Sequence, residues 1–305
     1  MIQFENTSRW YGQVIGLNDI TATIPTGITA LLGQNGAGKS TMMRLVTGQL
    51  RPTTGRVLVK GLEPFANPEV FRVLGYCPEI DNFYETMTGR QFVWHMARLH
   101  GYGPAEARKR TDESIDRVGM SDRADKALLG FSKGMRQRIK LAQAMLHDPD
   151  IILLDEPLNG LDPVGRREFM DVLAGLAAEG KTIVVSSHIL FEVEQMTRNI
   201  LLLHRGRLLA SGDLGAIREL IDKYPHRIHI DTSDPRRVGA VLAALPYIVN
   251  IEYDPDGKSV EIKTREPDRF YTAFAELVLE HQLPIIGFVS PDNNLESVYQ
   301  YLVEA

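Results

Sequence analysis

Nine consecutive residues constrain everything around them: Gly33-Gln34-Asn35-Gly36-Ala37-Gly38-Lys39-Ser40-Thr41. They match the pattern G-x-x-x-x-G-K-[ST]. Glycines let backbone N–H groups turn inward around phosphate oxygens, and a helix that follows adds the positive end of its dipole. Such a loop needs a buried strand before it and a helix after it. Ile28 to Leu32 is a short apolar run, and Met42, Leu45 and Val46 are spaced for one helix face.

The residue types inside the loop carry chemistry. Lys39 can reach β and γ phosphates, Ser40 can place its hydroxyl on Mg²⁺, and Thr41 can bind a phosphate oxygen. A purely structural glycine turn explains neither the lysine nor the hydroxyls. Ile151-Ile152-Leu153-Leu154-Asp155-Glu156 is a buried strand that ends in two acids. Asp155 is expected to help hold the metal and Glu156 to polarise an attacking water. Thr182 to Ser186 reads as a further core strand, and His188 stands just past its end, able to aim at the γ-phosphate. Tyr11, beside Gly12, could stack on a base; Trp10 competes for that role. Ser132, in Phe131-Ser132-Lys133-Gly134-Met135, can cap the helix running on through Leu141, Ala142 and Met145. A capped helix start is a second phosphate grip. One chain already has a phosphate loop, so the second grip makes sense on the nucleotide of another copy, in a head-to-tail pair.

Strand and helix patterns alternate up to about residue 220, which implies a mostly parallel sheet covered on both faces. Phe4, Val14, Leu17, Ile20 and Val57 to Val59 sit in short turn-bounded segments, expected to form a small antiparallel sheet. Residues 80 to 145 are expected to be a helical insertion. Arg166 to Glu179 reads as a helix stopped by Gly180. A domain boundary is expected at 222/223, near Pro225. Beyond it, strands at 227–230, 247–253, 259–264 and 285–289 and helices at 235–245, 270–281 and 295–302 give a βαββαβ order with a final helix, a split βαβ arrangement.

The remaining composition mostly excludes. A net charge of −5 gives no global preference for nucleic acid. The single cysteine, Cys77, has no intramolecular partner, which favours a reducing compartment. No secretory leader is expected from Met1 to Asn6. A membrane span needs about 20 apolar residues, whereas runs such as Ile151 to Leu154 and Ile200 to Leu203 end in charge or histidine. A role at a membrane would need another chain to cross it. His226 and His229 are read as a solvated strand edge rather than as metal ligands.

Taken together, these residues resemble the ATP-binding subunits of ABC transporters over residues 1 to about 220. Gly33 to Thr41 resembles the Walker A loop, Ile151 to Glu156 the Walker B strand, Leu161-Asp162 after Asn159-Gly160 the D-loop, His188 the switch histidine, and Phe131 to Met135 the signature. The Phe-Ser-Lys-Gly-Met form and the appended C-terminal segment, with Asn293 to Tyr299 near its end, resemble the multidrug, antibiotic and sodium exporter subgroup. The resemblance implies an α/β P-loop NTPase core of the ABC-cassette type (1–222), with an antiparallel β subdomain and a helical insertion. A small C-terminal α+β, ferredoxin-like accessory domain (223–305) follows. It implies an ATPase in which Glu156, His188 and Lys39 are catalytic. Tyr11, Gly33, Asn35, Gly36, Gly38, Lys39, Ser40, Thr41, Ser132, Gly134 and Asp162 would bind ATP, and Ser40, Glu79 and Asp155 would hold Mg²⁺. A homodimer around two ATP molecules would drive a separate permease from the cytoplasmic face of the membrane. Phe83, Tyr84 and Trp94 are candidates for the permease contact, with core packing the rival for Trp94. Two departures stand out: Glu79 where the family usually has glutamine, and Lys133 and Met135 in the signature. A soluble ABC ATPase of translation or DNA repair is the alternative. The segment between Thr41 and Ser132 lacks the long coiled coil or cysteine-rich insert of the repair types.

Overall fold

The apolar runs sort into strands that bury both faces. In a computed structural model, which describes residues 1–214 and 225–290, the chain divides into two units, Met1–Gly212 and Asp213–Ala305. The expected boundary at 222/223 lies outside the described residues, as do the expected helix 295–302 and the Asn293 to Tyr299 stretch.

In the first unit, β1 (Ile2–Tyr11) and β2 (Val14–Ile24) pair antiparallel. β3 (Gly27–Leu32) leads through the phosphate loop into α1 (Lys39–Val46). β4 (Thr54–Val59) then returns to the free edge of β1, giving the order β2-β1-β4. These strands are longer than the short segments expected. β1 and β2 run for 10 and 11 residues because their pairing is interrupted by register shifts rather than by turns. Asn6 and Asp19 take left-handed backbone there, at φ 44° and 51°, which Asn and Asp tolerate best among non-glycine residues. Each shift breaks the in-out alternation, so the sequence reads as fragments.

α2 (Val70–Val73) leads into β5 (Leu74–Cys77). The helical insertion holds α3 (Gly89–Leu99), α4 (Pro104–Arg117), a 3₁₀ turn at Leu128–Gly130 and α5 (Lys133–Met145). Its first helix starts at Gly89 rather than near 80. Thr88 and Gln91 form a reciprocal capping box there, and residues 78–88 are a loop. β6 (Ile151–Leu154), α6 (Pro163–Ala178), β7 (Thr182–Ser187), α7 (Leu190–Met196), β8 (Asn199–His204) and β9 (Arg207–Asp213) complete the unit. The main sheet has the order β5-β6-β7-β3-β8-β9, with β5, β6, β7, β3 and β8 parallel.

Alternate residues of each central strand feed two cores. Ile151, Leu153, Val184 and Leu31 join one with β1, β2, β4 and α1; Ile152, Leu154, Ile183 and Val185 join the other with α3 to α6. Burying each such side chain stabilises the fold by about 1.5–3 kcal/mol. That explains unbroken apolar runs where a half-exposed strand would alternate. Both cores hold the C-terminal ends of β3, β6 and β7 in register, and those ends carry the loop, the two acids and His188.

The second unit runs β10 (His226–Thr232), α8 (Pro235–Leu242), β11 (Ile248–Tyr253), β12 (Ser259–Thr264), α9 (Pro267–Glu280) and β13 (Ile285–Val289). Its antiparallel sheet has the order β11-β12-β10-β13, the split βαβ arrangement. Ile228, Ile230, Val260 and Ile262 meet Val238, Leu242, Phe270 and Phe274 in its core. No described helix in either unit is long and apolar enough to cross a membrane.

Candidate nucleotide site

The phosphate loop closes on itself through its lysine. Gly38, at φ 114°, precedes α1, and a Cβ there would lie 2.8 Å from the Gly16 carbonyl oxygen; one on Gly33 would lie 2.5 Å from that of Leu203. Only glycine fits at either position without moving backbone. The buried Lys39 then folds back, its Nζ donating to the Gly33 carbonyl at 2.6 Å and lying 3.4 Å from Glu156 Oε1.

The two acids are set by the neighbouring strand. Ser186 Oγ, fully buried on β7, donates to Asp155 Oδ1 at 2.6 Å and accepts the Glu156 backbone N–H at 2.8 Å. The Asp155 N–H in turn donates to the Cys77 carbonyl at 2.9 Å. Glu156 takes a left-handed backbone, φ 48°, which costs a non-glycine residue about 1–2 kcal/mol. Its carboxylate lies between two nitrogens, with Oε2 2.9 Å from His188 Nδ1. The Cys77 thiol is pushed up to about 12 by burial and stays protonated, so the site holds no thiolate nucleophile there. Burial likewise takes the Tyr76 hydroxyl to about 12, with the Asp155 charge adding to it.

Tyr11, Asn35, Gly36, Gly38, Lys39 and Ser40 line one cavity of about 460 Å³. Thr41 on α1 lines it too, and Glu79, Asp155, Glu156 and His188 close it from the other strands and loops. Tyr11 and not Trp10 belongs to this lining, and its hydroxyl lies 3.3 Å from Thr41 Oγ1. Val14, grouped with the early apolar residues, also lines it. Gly33 contributes its carbonyl to Lys39 rather than surface to the cavity. Ser186 is the residue that sequence reasoning missed. A hydroxyl at the end of a buried apolar strand, with acids one strand away, was the available signal.

The ABC transporter family pattern matches residues 17–159. An uncharacterised ABC transporter ATP-binding protein of Nostoc sp. is 37% identical over 255 residues, 82% of this chain and 73% of that one. The bacitracin transport ATP-binding protein BcrA of Bacillus licheniformis is 32% identical over 99% of this chain and 97% of its own. A bacterial ABC transporter cassette solved as a dimer superposes with TM-score 0.64 at 26% identity, covering 70% of this chain and 99% of that one. This chain is an ABC transporter ATP-binding subunit. It is an ABC-type ATPase, homologous to ATPases of the multidrug, antibiotic and cation exporter subgroup. Binding of ATP and Mg²⁺ is typical of this family.

The segments that resemble a signature and a D-loop sit elsewhere on the same chain. Ser132 caps α5, its Oγ accepting the Met135 N–H at 3.3 Å, and Asp162 caps α6, accepting the Gly165 N–H at 2.6 Å. Neither they nor Gly134 line the cavity of their own chain. Lys133, which replaces a signature glycine, crosses the D-loop: a Cβ on Gly160 would stand 2.5 Å from its Cδ. Of the proposed permease contacts, Tyr84 is exposed, whereas Phe83 and Trp94 pack against the helical core.

Proposed function

We propose that two copies of this ATPase close head to tail around two ATP molecules and drive a separate membrane-spanning permease of the export type from the cytoplasmic face. One observation carries this reading. The cavity collects the phosphate loop, both acids and His188, yet the Ser132 and Gly134 grip lies outside it on the same chain. A second copy is the natural source of the missing grip, with Asp162 beside it. Residues 1–222 act as the motor and 223–305 as an accessory domain.

Hard oxygen donors suit the metal. Ser40, Asp155 and Glu79 border the phosphate loop, and among the described residues no three His, Cys, Asp or Glu side chains form a cage of their own. Mg²⁺ takes one or two carboxylates plus substrate phosphates rather than a protein cage. When bound, it would neutralise charge on the phosphate oxygens. The other parts belong to the chain. Tyr11 stacks on adenine. Lys39 exchanges the Gly33 carbonyl and Glu156 for phosphate oxygens. Glu156, released from Lys39 and still beside His188, accepts hydrogen bonds from the attacking water and orients it towards the γ-phosphorus. His188 stabilises charge on the transferring group.

The Glu156→Gln protein tests the reading. Hydrolysis should slow by about 100- to 10,000-fold, and an ATP-dependent dimer should accumulate in light scattering. A pull-down from detergent-solubilised native membranes with this variant and ATP should retain a multi-span chain, identified by mass spectrometry. Capture of a soluble complex alone would move the protein to the non-transport ABC ATPases. Normal turnover would remove Glu156 from its role.

A further inference from the structure

We propose that Lys140 is a positioning residue for Glu79, holding the loop that brings this carboxylate to the phosphate cavity. The proposal rests on the reading that Glu79 faces bound nucleotide.

Lys140 lies two turns into the signature helix α5, and its side chain is only 3% exposed. An ammonium group has three N–H donors. Its Nζ donates to the Pro78 carbonyl at 2.8 Å and to the Glu79 carbonyl at 3.1 Å, and it lies 2.8 Å from Asp81 Oδ1. The ammonium thus donates to two carbonyls and pairs with one carboxylate, all within residues 78 to 81 of one loop. A buried lysine with three protein partners has one place to be, and it fixes the backbone of Glu79, a residue that lines the cavity.

One turn earlier on the same helix face, Arg136 holds the far end of the loop. Its guanidinium forks onto Glu85 at 2.8 and 2.6 Å and donates to the Leu128 carbonyl at 2.9 Å. Asp81 Oδ2 lies 4.0 Å from Arg136, so this acid sits between the two cations. Residues 78 to 85 are thus bound to the helix that Ser132 caps. A displacement at the Ser132 end is carried through a rigid helix to Glu79, without passing through the phosphate loop of the same chain.

Full-length Lys140→Met removes the ammonium and keeps the stem. Lys140→Met/Asp81→Asn also removes the acid left behind, and serves if the single variant folds poorly. ATP turnover should fall about 10- to 100-fold in kcat with KM unchanged, as expected for misplacement of a group by about an ångström. Binding of a fluorescent ATP analogue should be unchanged in EDTA, and the gain in affinity on adding Mg²⁺ should shrink. In a Glu79→Ala background, Lys140→Met should cause no further loss, because the group it positions is gone. Equal losses in both backgrounds, or wild-type kcat in a folded Lys140 variant, would overturn the role of Lys140 alone. Wild-type turnover in Glu79→Ala would instead remove the premise.

Discussion

Ser186→Ala would take one oxygen from beneath two acids. The hydroxyl donates to Asp155 at 2.6 Å and accepts from the Glu156 N–H at 2.8 Å, and Ser186, Asp155 and Glu156 are all buried. A hydrogen bond to a charged group contributes about 1.5–3 kcal/mol, and a buried N–H left without a partner costs about 1–3 kcal/mol. The two overlap, because the strand end relaxes once for both; about 3 kcal/mol is a reasonable net. For a unit of this size each kcal/mol moves the unfolding midpoint by about 2–4 °C, so a fall of ~6–12 °C is expected. Catalysis should suffer separately. The bond to Ser186 helps hold Glu156 at φ 48°, and without it the carboxylate moves relative to Lys39 and His188. A loss of about 10- to 100-fold in kcat follows, with little change in KM because the phosphate loop is untouched. Calorimetry and steady-state ATP turnover on the purified protein measure both. A folded Ser186→Ala enzyme with wild-type kcat would show that the hydroxyl does not set the acid, and the reasoning would fail.

Other perturbations read other parts. Tyr11→Ala should raise KM for ATP by roughly tenfold, given about 1–3 kcal/mol for a base stacked on an aromatic ring; Tyr11→Trp should retain affinity in the same titration, and Trp10→Ala should have no effect on it. His147 tests pH dependence. Burial, and then its stacked neighbour His100, depress it to about 4 from an ordinary 6.5. A histidine held neutral by the fold gives stability that is present above pH 6.5 and is lost as pH falls towards 4. At about 1.4 kcal/mol per unit, on the order of 3 kcal/mol should disappear across that window. His147→Phe keeps a ring for His100 and should flatten this slope in denaturant titrations at a series of pH values; an unchanged slope would point to another group.

What could be read in advance followed from local chemistry. The phosphate loop, the strand ending in Asp155 and Glu156, and His188 each need a specific residue type at a strand end, so the sequence carries them directly. Boundaries set by caps were harder. Periodicity starts α6 at Arg166, because the first buried apolar residue is Phe169, whereas Asp162 and Pro163 start it three residues earlier as N-cap and first turn. The same effect places α9 at Pro267 rather than Phe270, and α8 stops at Leu242, short of Leu245.

Lys140 marks the harder limit. In Lys133-Gly134-Met135-Arg136-Gln137-Arg138-Ile139-Lys140, Lys133, Arg136 and Lys140 look like one solvated helix face. Arg136 and Lys140, four apart, do share a face, yet Lys140 is buried and Arg136 half-buried. Most of their acceptors are backbone carbonyls and acids of residues 78 to 85, 51 to 62 residues away in sequence. Backbone carbonyls carry no residue signature, so no pattern in the chain announces them. Ser186 offers only a faint signal, a hydroxyl at the end of a buried apolar strand, because its partners are one carboxylate oxygen and one backbone N–H on the adjacent strand. Groups that touch phosphate are legible because their chemistry demands a residue type. Groups that aim them act through the main chain, and become visible only when strands and helices are set side by side.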